Sequence, residues 1–148
     1  MIDELAYAGP EHLDAAFVAG FDRKQGYPDP AEDGVYTRHA LHQLPDFWKA
    51  LTLDRIARML RPGGVLRLRD LIYDFRPAET DEVFRNWFRN AAANPAEGYT
   101  SEDYAEHIRT EHSTFRWLLE PMLAATGFEI VAAQFQGRLY GAYTCVKR

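Results

Sequence analysis

A single cysteine, Cys145, in 148 residues leaves no internal disulfide to form, so packing and hydrogen bonds must hold the fold and a reducing cytoplasm is the expected setting. Long apolar runs are also missing. None approaches the ~20 residues that a bilayer crossing takes, and Met1-Ile2-Asp3-Glu4 is acidic with no apolar stretch behind it, so neither a membrane span nor a secretory leader is expected. Positive charge is in deficit, 17 Lys and Arg against 22 Asp and Glu for a net charge of −5. That balance lacks the field that draws a protein onto phosphate backbones or anionic lipid, so nucleic acid and membrane are not expected partners. The ten glycines include no Gly-x-Gly pair. No phosphate loop, Cys-x-x-Cys or Ser/His/Asp nucleophile motif occurs either, which removes support for kinase, thiol-redox and hydrolase classes.

What is present describes a folded chain. Hydrophobic residues make up 47% and charged residues 26%, far from the composition of disorder. A chain of this length buries ~70% of the surface that its unfolded form exposes, which is enough for a core of its own. Gly9, Pro10, Gly20, Gly26, Pro28, Pro30 and Gly34 punctuate the beginning and leave room for one short helix near residues 11–19. Val35-Tyr36-Thr37 reads as a strand that ends in the polar stretch Arg38 to Gln43. From Asp46 to Leu60 the residues Leu53, Ile56, Ala57 and Leu60 recur at helical spacing, with Asp54, Arg55 and Arg58 on the other side. Arg61-Pro62-Gly63-Gly64 stops that helix, and the aliphatic run Val65 to Ile72 suits a strand covered on both faces.

Beyond it, Pro77 to Asn94 is helical in pattern with Val83 and Trp87 inward. Thr100 and Asp103 have capping-box spacing for a helix through Ile108, and a further helix runs from Ser113 to Ala125 with Pro121 inside it. Phe128 to Phe135, a turn at Gly137, and Leu139 to Val146 read as two antiparallel strands. Charge is segregated: residues 49 to 69 hold six Lys and Arg against one Asp, while residues 79 to 112 hold eight Asp and Glu against three Arg. The basic block reads as a solvated helix face rather than a binding surface.

Two of these segments together, Val35-Tyr36-Thr37-Arg38-His39-Ala40-Leu41-His42-Gln43-Leu44-Pro45-Asp46 and Arg55-Ile56-Ala57-Arg58-Met59-Leu60-Arg61-Pro62-Gly63-Gly64-Val65-Leu66, resemble the central part of class I S-adenosylmethionine-dependent methyltransferases. In that family a strand ends in a polar, often His-containing stretch leading to Leu-Pro-Asp, and a Leu-Arg-Pro-Gly-Gly turn feeds the next strand. Met122 to Ile130 is similar to the family's last helix entering its terminal hairpin. The resemblance spans residues 35 to 148 and implies an α/β fold: a partial Rossmann-like methyltransferase sheet of about four strands, two parallel plus a C-terminal antiparallel hairpin, with flanking helices. Residues 1–34 are similar to the helical lead-in of such enzymes, which divides the chain into that lead-in and a truncated methyltransferase-like domain over 35–148.

The same resemblance implies S-adenosyl-L-methionine as cofactor and a small-molecule acceptor as partner. The family holds this cofactor with a glycine-rich turn, which needs residues without a β-carbon, and with an acid on the following strand. Both are missing here, so the implied function is a methyltransferase-family protein acting on a small molecule, truncated and inactive alone. The alternative is a non-catalytic remnant serving as an oligomerisation or interaction module. The family's strand order leaves the Val35 strand at an open edge, from which a homodimer or a partner chain covering that edge is expected.

The site residues follow from where the resembled fold puts them. Open α/β sheets bind ligands at the carboxyl ends of their strands. Thr37, Arg38 and His39 there are candidates to line the cofactor pocket, with His39 a candidate general base because imidazole titrates near neutrality; a polar helix entry hydrogen-bonded to backbone explains the same residues. Asp70 is a candidate to take or orient the acceptor's proton, or it pairs with an arginine. Arg69, which with Arg67 needs acids or water, and Tyr73, His112 and Tyr140 are candidates for the acceptor side; His112 is equally an exposed histidine at a helix start. Tyr7, Tyr27, Trp87, Trp117, Tyr140 and Tyr143 are available as walls for a planar substrate or as core. His39 and His42 are three apart, but no Cys, Asp or Glu lies at ligand spacing nearby, so no metal is expected.

Overall fold

The computed structural model describes residues 32–148, and the short helix expected near residues 11–19 lies outside them. Strand β1 (Glu32–Arg38) leads through a 3-10 turn (Leu41–Gln43) into helix α1 (Asp46–Met59). Strand β2 (Leu60–Tyr73) follows, then a 3-10 turn (Pro77–Glu79), helix α2 (Thr80–Phe88) and helix α3 (Ser101–Thr110). The short β3 (Thr114–Phe115), helix α4 (Arg116–Ala125) and strands β4 (Phe128–Gln136) and β5 (Tyr140–Lys147) complete the order. The main sheet runs β1-β2-β5-β4, with β1 parallel to β2 and the other neighbours antiparallel.

Local chemistry accounts for most element ends. Pro45 is the N-cap of α1, where its fixed φ and missing N–H cost nothing, and α1 ends as Leu60 turns extended. Gly63, inside β2 where its register against β1 shifts, takes a φ of 80°, a conformation that a β-carbon penalises. The Thr100–Asp103 capping box forms in full, each side chain accepting the other residue's backbone N–H.

The sheet's two faces differ. Val35, Leu66, Leu68, Tyr143 and Cys145 meet Leu53, Ile56 and Ala57 of α1 and Leu119 and Leu123 of α4 in the main core. Each leucine buried there contributes ~1.5–3 kcal/mol. On the opposite face the cross-strand neighbours Tyr36, Arg67 and Thr144 are not covered in this way, and Tyr36 is 65% exposed. Thus β2, expected to be covered on both faces, alternates buried leucines with exposed Arg67 and Arg69. The two guanidinium groups find water on the open face, which removes the cost of burying them. At the carboxyl end of β2 a second core takes over, where Leu71, Tyr73, Phe75, Val83, Trp87 and Leu139 are buried together under α2 and α3.

Four expectations shift. The first strand starts at Glu32 rather than Val35, so the boundary placed after residue 34 falls inside β1. The sheet has a fifth, two-residue member, because Thr114 and Phe115 pair with Ile72 and Tyr73 and delay α4 to Arg116. Arg61-Pro62-Gly63-Gly64, expected as a turn ahead of a strand from Val65, lies inside β2, which starts at Leu60. The helical pattern over Pro77–Asn94 yields only the nine residues of α2, since Asn94 and Asn90 turn the chain instead. Among the described residues β1 has a strand neighbour on one side only, β2.

Candidate active site

The carboxyl ends of β1 and β2 open into a cavity of about 620 Å³ lined by His39, His42, Trp87, Tyr104, Tyr140, His107 and Glu111, among others. That volume suits a drug-sized molecule. Its aromatic wall is ordered: Trp87 stacks on Tyr104 with ring centroids 4.3 Å apart, and Tyr104 stacks on Tyr99 at 5.8 Å.

Asp70 organises the floor. It is 1% exposed, and both carboxylate oxygens are occupied. Oδ2 accepts the backbone N–H groups of Ala40 and Leu41 at 3.1 and 2.8 Å, and Oδ1 accepts that of Leu71 at 2.8 Å. The same Oδ1 lies 2.5 Å from His42 Nδ1. Burial by itself would raise the Asp70 pKa, but His42 and the backbone donors outweigh it and hold the carboxyl below its ordinary value. His42 is likewise buried, which lowers its pKa, yet Asp70 and Glu111 more than compensate and the net direction is up.

With Nδ1 turned to Asp70, His42 presents Nε2 to the cavity, 2.9 Å from Glu111 Oε2. The same oxygen lies 2.6 Å from His107 Nδ1, and His107 Nε2 meets Ser113 Oγ at 2.9 Å. Helical spacing sets His107 and Glu111 on one face of α3, four residues apart. Lys49, 1% exposed, fixes the neighbouring backbone: its ammonium donates to the carbonyls of Leu44 and His112 at 2.7 and 2.5 Å and to Asp46 Oδ1 at 3.1 Å. Lys49 therefore does not belong to the solvated face of the basic block. Desolvation is the largest influence on its pKa and lowers it.

The expected site residues separate under this geometry. His39 and Tyr140 line the cavity and Asp70 lies buried behind His42, with His39 held at a φ of 51° by the turn that ends β1. Burial lowers the His39 pKa, and no carboxylate hydrogen-bonds its ring as Asp70 does that of His42. Thr37 and Arg38 are not among the lining residues, and Arg69 lines a separate hollow of about 280 Å³ on the open sheet face with Tyr36 and Arg67. Tyr73 packs against Phe75, Phe84 and Phe115 in the second core. His112 is exposed, and its contribution to the site is the carbonyl that Lys49 holds. Of the aromatic candidates, Trp87 and Tyr140 line the cavity, Tyr143 is core, Trp117 stacks on Phe115 at the surface, and Tyr7 and Tyr27 lie outside the described residues.

Two expectations are corrected. Asp70 pairs with a histidine and not an arginine, because β2 alternation sends Arg67 and Arg69 to the opposite face. The Asp70 oxygens already have four partners, of which His42 is the one side chain. His42 was the residue to find. Its signal in the sequence was the three-residue step from His39, which only a folded Asp70 makes meaningful. His107 and Glu111 carried no signal beyond a four-residue interval.

The layered helices, the parallel β1-α1-β2 unit and the antiparallel β5-β4 hairpin define a class I S-adenosylmethionine-dependent methyltransferase-like fold, with the cavity at the strand ends where such sheets bind ligands. The chain is 32% identical over 83 residues to the 27-O-demethylrifamycin SV methyltransferase of Amycolatopsis mediterranei, a match covering 56% of this chain and 29% of that enzyme. Among solved structures it is similar to a SAM-dependent methyltransferase from Methanosarcina mazei, with a TM-score of 0.54, 18% identity and coverage of 82% of this chain and 62% of that one. It is also similar to human N-acetylserotonin methyltransferase in complex with SAM, with a TM-score of 0.52, 18% identity and coverage of 82% and 31%. The chain thus spans less than a third of the curated relative. No family model matches the sequence.

Among the described residues no glycine lines the cavity, where a glycine-rich turn for S-adenosylmethionine would stand. Their glycines with positive φ are Gly63, Gly98, Gly127 and Gly137, all outside the cavity lining, and none forms a Gly-x-Gly turn.

Proposed function

We propose that this chain forms the acceptor half of a methyl-transfer site, binding a small hydroxylated molecule that carries a planar ring. One observation carries the reading: a buried carboxylate holds His42 by Nδ1 and turns Nε2 into a 620 Å³ cavity with an aromatic wall. Asp70 fixes the tautomer and ring orientation and raises the basicity of Nε2. His42 then accepts the proton of an acceptor hydroxyl seated against Trp87, Tyr104 and Tyr140. Its likeness to a rifamycin-modifying enzyme supports small-molecule O-methylation.

The donor cradle comes from polypeptide outside residues 32–148, and the side of β1 that has no strand neighbour among the described residues is where a second copy or another chain docks to bring it. The alternative, a non-catalytic interaction module, keeps that edge and drops the chemistry. Calorimetric titration with S-adenosylmethionine, together with turnover on phenolic acceptors, separates the two readings. Methylation that disappears in His42→Ala supports the enzyme. Absence of donor binding and of product under conditions where light scattering shows the full assembly supports the module.

A further inference from the structure

Two histidines converge on one face of Glu111. His42 Nδ1 is turned to Asp70 at 2.5 Å and His107 Nε2 to Ser113 at 2.9 Å. The remaining ring nitrogens, His42 Nε2 and His107 Nδ1, lie 2.9 and 2.6 Å from one oxygen, Glu111 Oε2. That oxygen is buried and accepts no aligned hydrogen bond. Two ring nitrogens and one carboxylate oxygen therefore converge on one point, where either ring N–H groups or a bound cation can meet the Glu111 charge.

We propose that His42, His107 and Glu111 bind a divalent transition-metal ion of the zinc, cobalt or nickel type. The three donor atoms lie within 4.8 Å of one another. An ion ~2.1 Å from each ligand at tetrahedral angles sets the ligands about 3.4 Å apart, so Glu111 must draw back from the two nitrogens by roughly 0.5–0.8 Å. Two nitrogens and one oxygen suit a borderline cation better than magnesium or calcium. Metal-binding histidines characteristically give their second nitrogen to a carboxylate, carbonyl or hydroxyl that orients the ring, and Asp70 and Ser113 already stand in those places. The cavity side leaves coordination positions for water or an oxygen ligand.

An ion at this point takes the His42 Nε2 lone pair and so excludes proton transfer by the same atom. That inhibitory consequence rests on the methyl-transfer reading, whereas binding itself does not.

The probe is Co2+ added to the metal-free full chain, followed by visible absorption and calorimetry, with Zn2+ as competitor. One Co2+ per chain is expected, displaced by Zn2+, with affinity falling at least ten-fold in Glu111→Gln and His107→Ala and unchanged in His112→Ala, the exposed histidine nearby. Circular dichroism of each variant checks the fold, and Glu111→Gln, which preserves side-chain size, keeps the test valid if His107→Ala is unstable. No stoichiometric binding, or binding that Glu111→Gln leaves intact, overturns the proposal. Loss of methyl transfer on adding Zn2+ tests the inhibitory consequence alone, so binding without inhibition counts against the role of His42 as base and leaves the metal site standing.

Discussion

His42 Nδ1 and Asp70 Oδ1 stand 2.5 Å apart across the carboxyl ends of two neighbouring parallel strands. The pair ties the turn after β1 to β2 and also aims His42 Nε2 at the cavity. Removing the ring separates these two duties. His42→Ala is expected to lower methyl transfer by ~10²-fold or more, while His39→Ala, which has no carboxylate behind it, stays within about ten-fold of wild type, on the range expected of general base assistance. Product mass spectrometry under saturating donor reads both, and equal losses in the two variants would sink the assignment of the base.

Asp70→Asn should unfold early. Its four partners leave no room for an amide N–H among three backbone donors, so a buried hydrogen bond becomes a clash of donors. Breaking a buried pair of this kind costs about 3 kcal/mol or more, and a lowered Tm by calorimetry is the expected result.

Lys49→Met tests the other buried charge. It keeps the aliphatic stem but leaves the Leu44 and His112 carbonyls without their donor, at ~1–3 kcal/mol for each group that stays dry. Because the Lys49–His112 contact ties α1 to the segment after α3, hydrogen exchange should quicken at Glu111 to Ser113 before it does elsewhere.

Cys145 is fully buried in the main core, and burial pushes its thiol up to about 11. At pH 8 both the rarity of the thiolate and the missing access protect it, so iodoacetamide should leave the native protein unlabelled over hours. Labelling is expected to rise only across the unfolding transition, and brisk labelling of native protein would show that β5 opens locally.

How much of this was legible beforehand depends on the range of the interaction concerned. Helix α1, the Thr100–Asp103 cap and the β4–β5 hairpin could all be read from neighbouring residues, since periodicity, capping and turn chemistry act within a few positions. The strand Thr114–Phe115 could not, because only pairing with Ile72 and Tyr73 makes those two residues a strand.

The order of residues alone determined the α/β class, the end of α1 just ahead of Arg61-Pro62-Gly63-Gly64, and the absence of a Gly-x-Gly pair, because each is a matter of composition and short-range backbone sterics. Tertiary structure decided which histidine has chemistry. Asp70, His107 and Glu111 are far from His42 along the chain, and whether an imidazole is a base, a ligand or packing depends on which charges and dipoles the fold brings within hydrogen-bond reach of its two nitrogens.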